Sequence, residues 1–154
     1  MTGRPWFRAA FLFASISITV TSCAEAPTTS VVRGPRATWE EAGIDSYTYQ
    51  LTRSCFCPGP FGPITVTVVD GKVESVTHGR KQTPVGEDEL GERPLTVDEL
   101  FGYVDEATGK ADDVAVDYDP DLGYPTRISV DWYRNAIDDE MSFTAGGLRI
   151  LGDA

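Results

Sequence analysis

Histidine occurs once in the 154 residues, as His78, and cysteine three times, as Cys23, Cys55 and Cys57. A lone imidazole excludes a catalytic zinc site built on two or three histidines. No Gly-x-Ser-x-Gly elbow and no phosphate-cradling glycine loop is present, which excludes the common hydrolase and nucleotide-binding designs. Basic residues are scarce, 13 against 24 acidic ones. So little Lys and Arg argues against nucleic acid as a partner and against electrostatic docking on anionic lipid. Carboxylate pairs are abundant in so acidic a chain, so no one pair stands out as an acid and base. The expectation is a protein that is not an enzyme and that carries no cofactor.

Long hydrophobic runs are also missing. The uncharged stretch Ala9 to Val20 has 12 residues, too short to span a bilayer of about 30 Å but right for the apolar region of a signal peptide behind Arg4 and Arg8. Directly after it, Val20-Thr21-Ser22-Cys23 resembles the bacterial lipobox. That resemblance implies a signal peptide over residues 1–22, cleavage before Cys23, and acylation of Cys23 with palmitate-type chains. One acyl chain holds a protein on a membrane only marginally, whereas two anchor it stably. The mature protein is therefore expected outside the cytoplasm, its membrane partner reached through the N-terminal lipid. Ala24 follows the lipidated position, which resembles the default signal toward an outer membrane where the host has one. Cleavage removes Arg4 and Arg8, leaving 11 basic against 24 acidic residues, a net charge of −13. Residues 23–37 include EAPTTSVVRGPR, which has no period of 2 or 3.6 and reads as a flexible stalk.

Residues 38–154 are long enough for one domain with its own core. Thr38 to Glu41 fits a capping box, with Gly43 limiting the helix to one turn. Tyr47, Tyr49 and Leu51 alternate with Thr48, Gln50 and Thr52, which is a strand that Pro58-Gly59-Pro60 ends. Ile64 to Val69 and Lys72 to Thr77 flank Asp70-Gly71, a strong hairpin signal. The polar segment from His78 to Pro94 reads as a mobile surface loop, with His78 at the surface where the strand ends. Thr96 and Glu99 form a second capping box, with a staple from Leu95 to Leu100. The stripe Val97, Leu100, Phe101 and Val104 makes the main helix, and Gly109 a fitting stop. A second hairpin joins Val114-Val116-Tyr118 to Ile128-Val130-Trp132, and a last strand starts at Met141, with Leu148 and Ile150 as a continuation. The order β-ββ-α-ββ-β predicts an α+β fold: an antiparallel sheet of five to six strands with one main helix on a face.

Cys55 and Cys57, in "TRSCFCPGP", leave four readings open. Outside the cytoplasm a free pair is normally oxidised. In an extended strand, residues i and i+2 lie about 6.6 Å apart at Cα, whereas a disulfide brings Cβ atoms to about 3.8 Å. A bridge therefore requires a sharp bend at Phe56, which the following Pro-Gly-Pro favours. The alternatives are two small buried thiols, a redox-active pair, or a metal site short of ligands. Asp117, Asp119 and Asp121 have the D-x-D-x-D cadence of calcium loops, but the sixth-place Gly is missing and Ile128 stands where the loop's Glu belongs. Turn chemistry explains Asp119-Pro120, and a hairpin turn with a solvated acidic face is the preferred reading over a calcium site. Asp138, Asp139 and Glu140 would add ligands only if the fold brought them near.

SYTYQLTRSCFCP, VVDGKV, TVDELF, DYDPDLGYPTRISVD and NAIDDEMSF together resemble a widespread group of small secreted and lipid-anchored bacterial proteins defined only as a domain of unknown function. The resemblance spans residues 38 to 145, with CFCP and YDPxxGYPT its most specific segments. It implies an envelope location and a small α+β domain, and it transfers no catalytic residue. The functional expectation is a monomeric lipoprotein that binds or scaffolds an envelope protein or small ligand. Tyr47, Tyr49, Tyr118, Tyr124, Trp132 and Tyr133 offer a surface for that role, unless the core claims them. A thiol–disulfide module using Cys55 and Cys57 is the alternative.

Overall fold

A computed structural model describes residues 34–57 and 62–152. The expected signal peptide over residues 1–22 and the expected lipidation position Cys23 lie outside them. Strands β1 (Tyr47–Ser54), β2 (Ile64–Val69), β3 (Lys72–His78), β4 (Thr83–Pro84), β5 (Asp113–Tyr118), β6 (Pro125–Asp131) and β7 (Met141–Ile150) form one sheet in the order β4-β3-β2-β1-β7-β6-β5. Every pairing is antiparallel. The expected α+β architecture is present, with seven strands instead of five to six. The additional one is β4, inside the segment read as a loop. It holds Pro84 on a sheet edge, where a missing N–H costs no ladder bond.

Alternation decides which face is covered. Tyr47, Tyr49 and Leu51 of β1, Ile64, Val66 and Val68 of β2, Ile128 and Val130 of β6, and Phe143 of β7 are all buried. Their neighbours Thr48, Gln50, Thr52, Thr65, Thr67, Ser129 and Thr144 point the other way. Asp70 and Gly71 both have positive φ, 50° and 71°, so the β2–β3 hairpin closes on the expected primed turn.

Among the described residues, three helices accompany the sheet: α1 (Pro35–Ala42), the single turn α2 (Glu87–Leu90) and α3 (Val97–Lys110). In α3 both halves of the predicted capping box form, the Thr96 side chain accepting from Glu99 N and the Glu99 carboxylate accepting from Thr96 N. Val97, Leu100, Phe101, Val104 and Ala107 bury the predicted stripe. Gly109 does not stop the helix. It stays helical, and the chain turns extended at Ala111 because Asp112 N donates to Asp131 O and begins the β5–β6 ladder.

Two buried phenols fasten α3 to the central strand. Tyr49 donates to Leu95 O at 2.6 Å, and the Tyr47 hydroxyl accepts from Val97 N at 2.8 Å. Val97 is the first residue of α3, so Tyr47 satisfies one of the donors that every helix start leaves over. Burial pushes the Tyr47 phenol up to about 12 and drives Tyr49 up further, since an anion there would lose its water.

Helix α1 is longer than predicted and starts earlier. Gly34 is its N-cap, Pro35 takes the first turn and Gly43 ends it with φ 60°. Thr38, the predicted cap, sits inside the helix with its hydroxyl turned back to Gly34 O. Pro35, Arg36 and Ala37, expected in a stalk, therefore belong to the folded domain. Arg36 pairs with Asp105 at 2.6 Å and lies over the Phe101 ring, while Trp39 buries its indole edge-on against Tyr47 and donates to Asp98. The segment after His78 is likewise more ordered than a loop. Leu90 is buried, and the buried Arg93 guanidinium donates to Leu90 O and Glu89 O, satisfying carbonyls that α2 leaves unpaired.

Candidate binding cleft

The covered face leaves the opposite, polar face of the sheet facing outward, and strand register lines up its hydroxyls. Ser54 of β1 is opposite Ser142 of β7, and Ser142 is opposite Ser129 of β6. Neighbouring strands lie about 4.8 Å apart, so the three hydroxyls form a row about 10 Å long. The row stands where β1 ends. Beyond it the chain bends through Cys55-Phe56-Cys57, whose sulfurs are at bonding distance and whose Cα atoms are 5.2 Å apart. That spacing is shorter than an extended pair allows, so the bend anticipated at Phe56 is present. Both cysteines are half-buried, while Phe56 between them is 84 % exposed.

The other wall comes from the β6–β7 connection. Tyr133 N donates to Asp139 Oδ2 at 2.6 Å, Arg134 N to Asp112 Oδ2 at 2.9 Å, and Ala136 N to Tyr133 O at 2.7 Å. These bonds hold Asp138 and Glu140 at the rim. Together with Phe56, Cys55, Met141 and the three serines they line an open cleft of about 390 Å³. Among the described residues, no Lys or Arg lines it. One pleat past Ser129, Asp131 Oδ1 is buried without a hydrogen-bond partner, as is Asp139 Oδ1. Desolvation pushes the Asp131 carboxyl up, and Asp139, Glu140 and Asp112 push it the same way, with Arg134 opposing. Negative charge is thus concentrated beside the cleft.

The predicted calcium ligands do not assemble. Asp117 is exposed in β5 opposite Arg127. Asp119 Oδ1 accepts from Asp121 N and Leu122 N, at 3.0 and 2.8 Å, which makes it the cap of the β5–β6 turn. Among the described residues, no group of three or more His, Cys, Asp or Glu is arranged to hold a metal ion. Asp138 to Glu140 lie at the other end of β6, roughly 20 Å away along a seven-residue strand, and cannot complete that turn as a site. The aromatic set also separates: Tyr47, Tyr49 and Tyr124 are core, Tyr118 and Trp132 pack against it, and Tyr133 is exposed. His78 is half-buried where β3 ends, facing Ile64 and Thr83. Sequence reasoning missed the serine row and the exposure of Phe56. The polar alternation of β1 signalled an outward face, but nothing in it revealed which strand lies alongside.

A model of a family of unknown function, DUF6174, matches residues 32–150. The chain belongs to that family. No curated protein and no solved structure matches it. The matched span of this DUF6174 domain opens just ahead of α1 and closes on the last residue of β7, so α1 is included in the family's unit. Its YDPDLGYPT segment is accounted for by packing. Gly123 takes φ 78° directly beneath α1, where a Cβ would run into the Pro35 carbonyl and sit 3.0 Å from the Thr38 Cβ. Tyr124 places its ring 6.3 Å from Trp39. Among the described residues, no helix of the DUF6174 domain is long and apolar enough to cross a membrane.

Proposed function

We propose that this protein is a lipid-anchored, extracytoplasmic binding module of the bacterial envelope, without catalytic activity, that presents the cleft beside Cys55 and Cys57 to an envelope component. Acylated Cys23 is the tether, and the residues up to about 33 give the domain reach from the bilayer. The observation that carries the reading is the cleft itself: a preformed hollow at the end of a rigid sheet, lined by hydroxyls, carboxylates and one exposed aromatic ring. Its volume is within the range of small-molecule sites, roughly 300–1,000 Å³. A cysteine pair at bonding distance is consistent with an oxidising compartment. The test places a photoreactive phenylalanine analogue at position 56 and, separately, at exposed Ile150 of β7, in the native host. Selective capture of one envelope component from position 56 supports the reading, and equal or absent capture at both positions refutes it.

A second reading, a thiol–disulfide module, is favoured by the accessibility of the Cys55-Phe56-Cys57 bend. Neither cysteine stands at the start of a helix, where a thiolate is best stabilised. A reduction potential below about −300 mV would mark the bond as structural, and one near those of known oxidants would favour the redox role.

A further inference from the structure

The cleft's lining restricts its occupant. Asp138 and Glu140, with no Lys or Arg beside them among the described lining residues, disfavour an anion. Burying three serine hydroxyls under a purely apolar group would strip them of water with nothing in exchange, a cost of about 1–3 kcal/mol for each unpaired group in mutational data. An alkylammonium would suit the carboxylates, but it has no acceptor to offer the serine O–H groups. The occupant must both donate to carboxylates and exchange hydrogen bonds with hydroxyls, while presenting one apolar face to Phe56.

We infer that the cleft binds a neutral or amino-bearing saccharide ring, seated edge-on against the Ser54–Ser142–Ser129 row with its C–H face on Phe56. This assignment rests on the proposed binding role of the cleft and names its ligand class. The ring hydroxyls donate to Asp138 and Glu140, forming charge-assisted hydrogen bonds. Others pair with the serines, whose hydroxyls both donate and accept. The row, about 10 Å long, spans one ring and the start of a second. Phe56 supplies the flat apolar surface. The covalent link between its two neighbours restrains the bend that carries it, so less freedom is lost when a ligand docks. The nearby crowding of Asp131, Asp139 and Asp112 adds to the exclusion of acidic sugars.

Amide NMR of the full-length protein in detergent tests the assignment, with glucose, glucosamine, glucuronic acid and butylammonium as probes up to about 50 mM, a range that saturates millimolar sites. Glucose and glucosamine should shift the amides of Ser54, Phe56, Ser129 and Ser142, and glucuronic acid should not. Phe56→Ala, at a position too exposed to matter for folding, should weaken the response about tenfold with the rest of the spectrum unchanged. Ser129→Ala combined with Ser142→Ala should weaken it in the same direction. Shifts at the cleft from butylammonium alone would overturn the saccharide assignment and leave the binding role standing. No local shift from any probe would overturn the saccharide assignment, while position-56 crosslinking would still decide the binding role.

Discussion

Gly123→Ala isolates what joins α1 to the sheet. Two costs add at this position. A non-glycine residue in left-handed backbone loses about 1–2 kcal/mol, and at φ 78° Gly123 incurs that cost in full. The new methyl would also press on the Pro35 carbonyl and the Thr38 side chain, an overpacking cost of about 1–3 kcal/mol. Neither neighbour is the loose end of a long side chain, so relief requires α1 to lift and Trp39 to leave its place between Tyr47 and Tyr124. The sum is about 3 kcal/mol. Gly71→Ala is the control: its φ of 71° imposes the same backbone cost, but a Cβ there meets nothing within 4 Å. Urea unfolding with tryptophan fluorescence reads both variants. At a slope near 2 kcal/mol/M, Gly123→Ala should lower the midpoint by about 1.5 M, and Gly71→Ala by about a third of that. Equal losses within about 0.5 kcal/mol would refute the packing of α1 against Gly123.

Further outcomes follow from the caps, the buried phenols and the acidic loop. Thr96→Ala removes the acceptor for Glu99 N and should cost about 1 kcal/mol, roughly 4 °C in Tm by calorimetry, with Thr96→Ser restoring most of it. Tyr47→Phe leaves Val97 N buried without its acceptor, for a loss of about 1–3 kcal/mol in the same denaturation assay. Because burial raises Tyr47 from 10.0 to about 12, the fold favours its neutral phenol. That stability is whole below pH 10 and is lost as pH rises through 12, so unfolding midpoints should fall across that window, with tyrosinate absorbance appearing as the protein unfolds. Asp131→Asn should stabilise the protein at neutral pH. The native carboxyl is raised by desolvation and by Asp139, Glu140 and Asp112, so the wild type gains as pH falls through that raised value and the advantage of Asn should vanish in acid.

Local chemistry was readable where it acts alone. Asp70-Gly71 announced a primed turn, Thr96 with Glu99 announced a helix start, and the strand alternation announced a one-sided sheet; all three are present. Pairing between distant segments was not readable. Nothing in Met141–Ile150 says that it lies between β1 and β6, and without that register the serine row does not exist. Pro35 and Arg36 looked like stalk because Pro and Gly break periodicity. What makes them helical is tertiary: Arg36 on Asp105 and Phe101, and Trp39 on the sheet. The D-x-D-x-D cadence is ambiguous for a related reason. Asp119 serves a turn whose shape is set by Gly123 under α1, and a spacing rule cannot distinguish a turn cap from a ligand.

The proposed display outside the cytoplasm would account for paired cysteines and for an envelope ligand, and the intact mass of native protein tests it directly. The protein should be extracted from host membranes without reductant. The expected product begins at Cys23, carries at least two acyl chains, and is two hydrogens lighter than its reduced form, with Cys55 and Cys57, whose sulfurs stand at bonding distance, joined. A product that begins at Met1 with three free thiols would contradict the account.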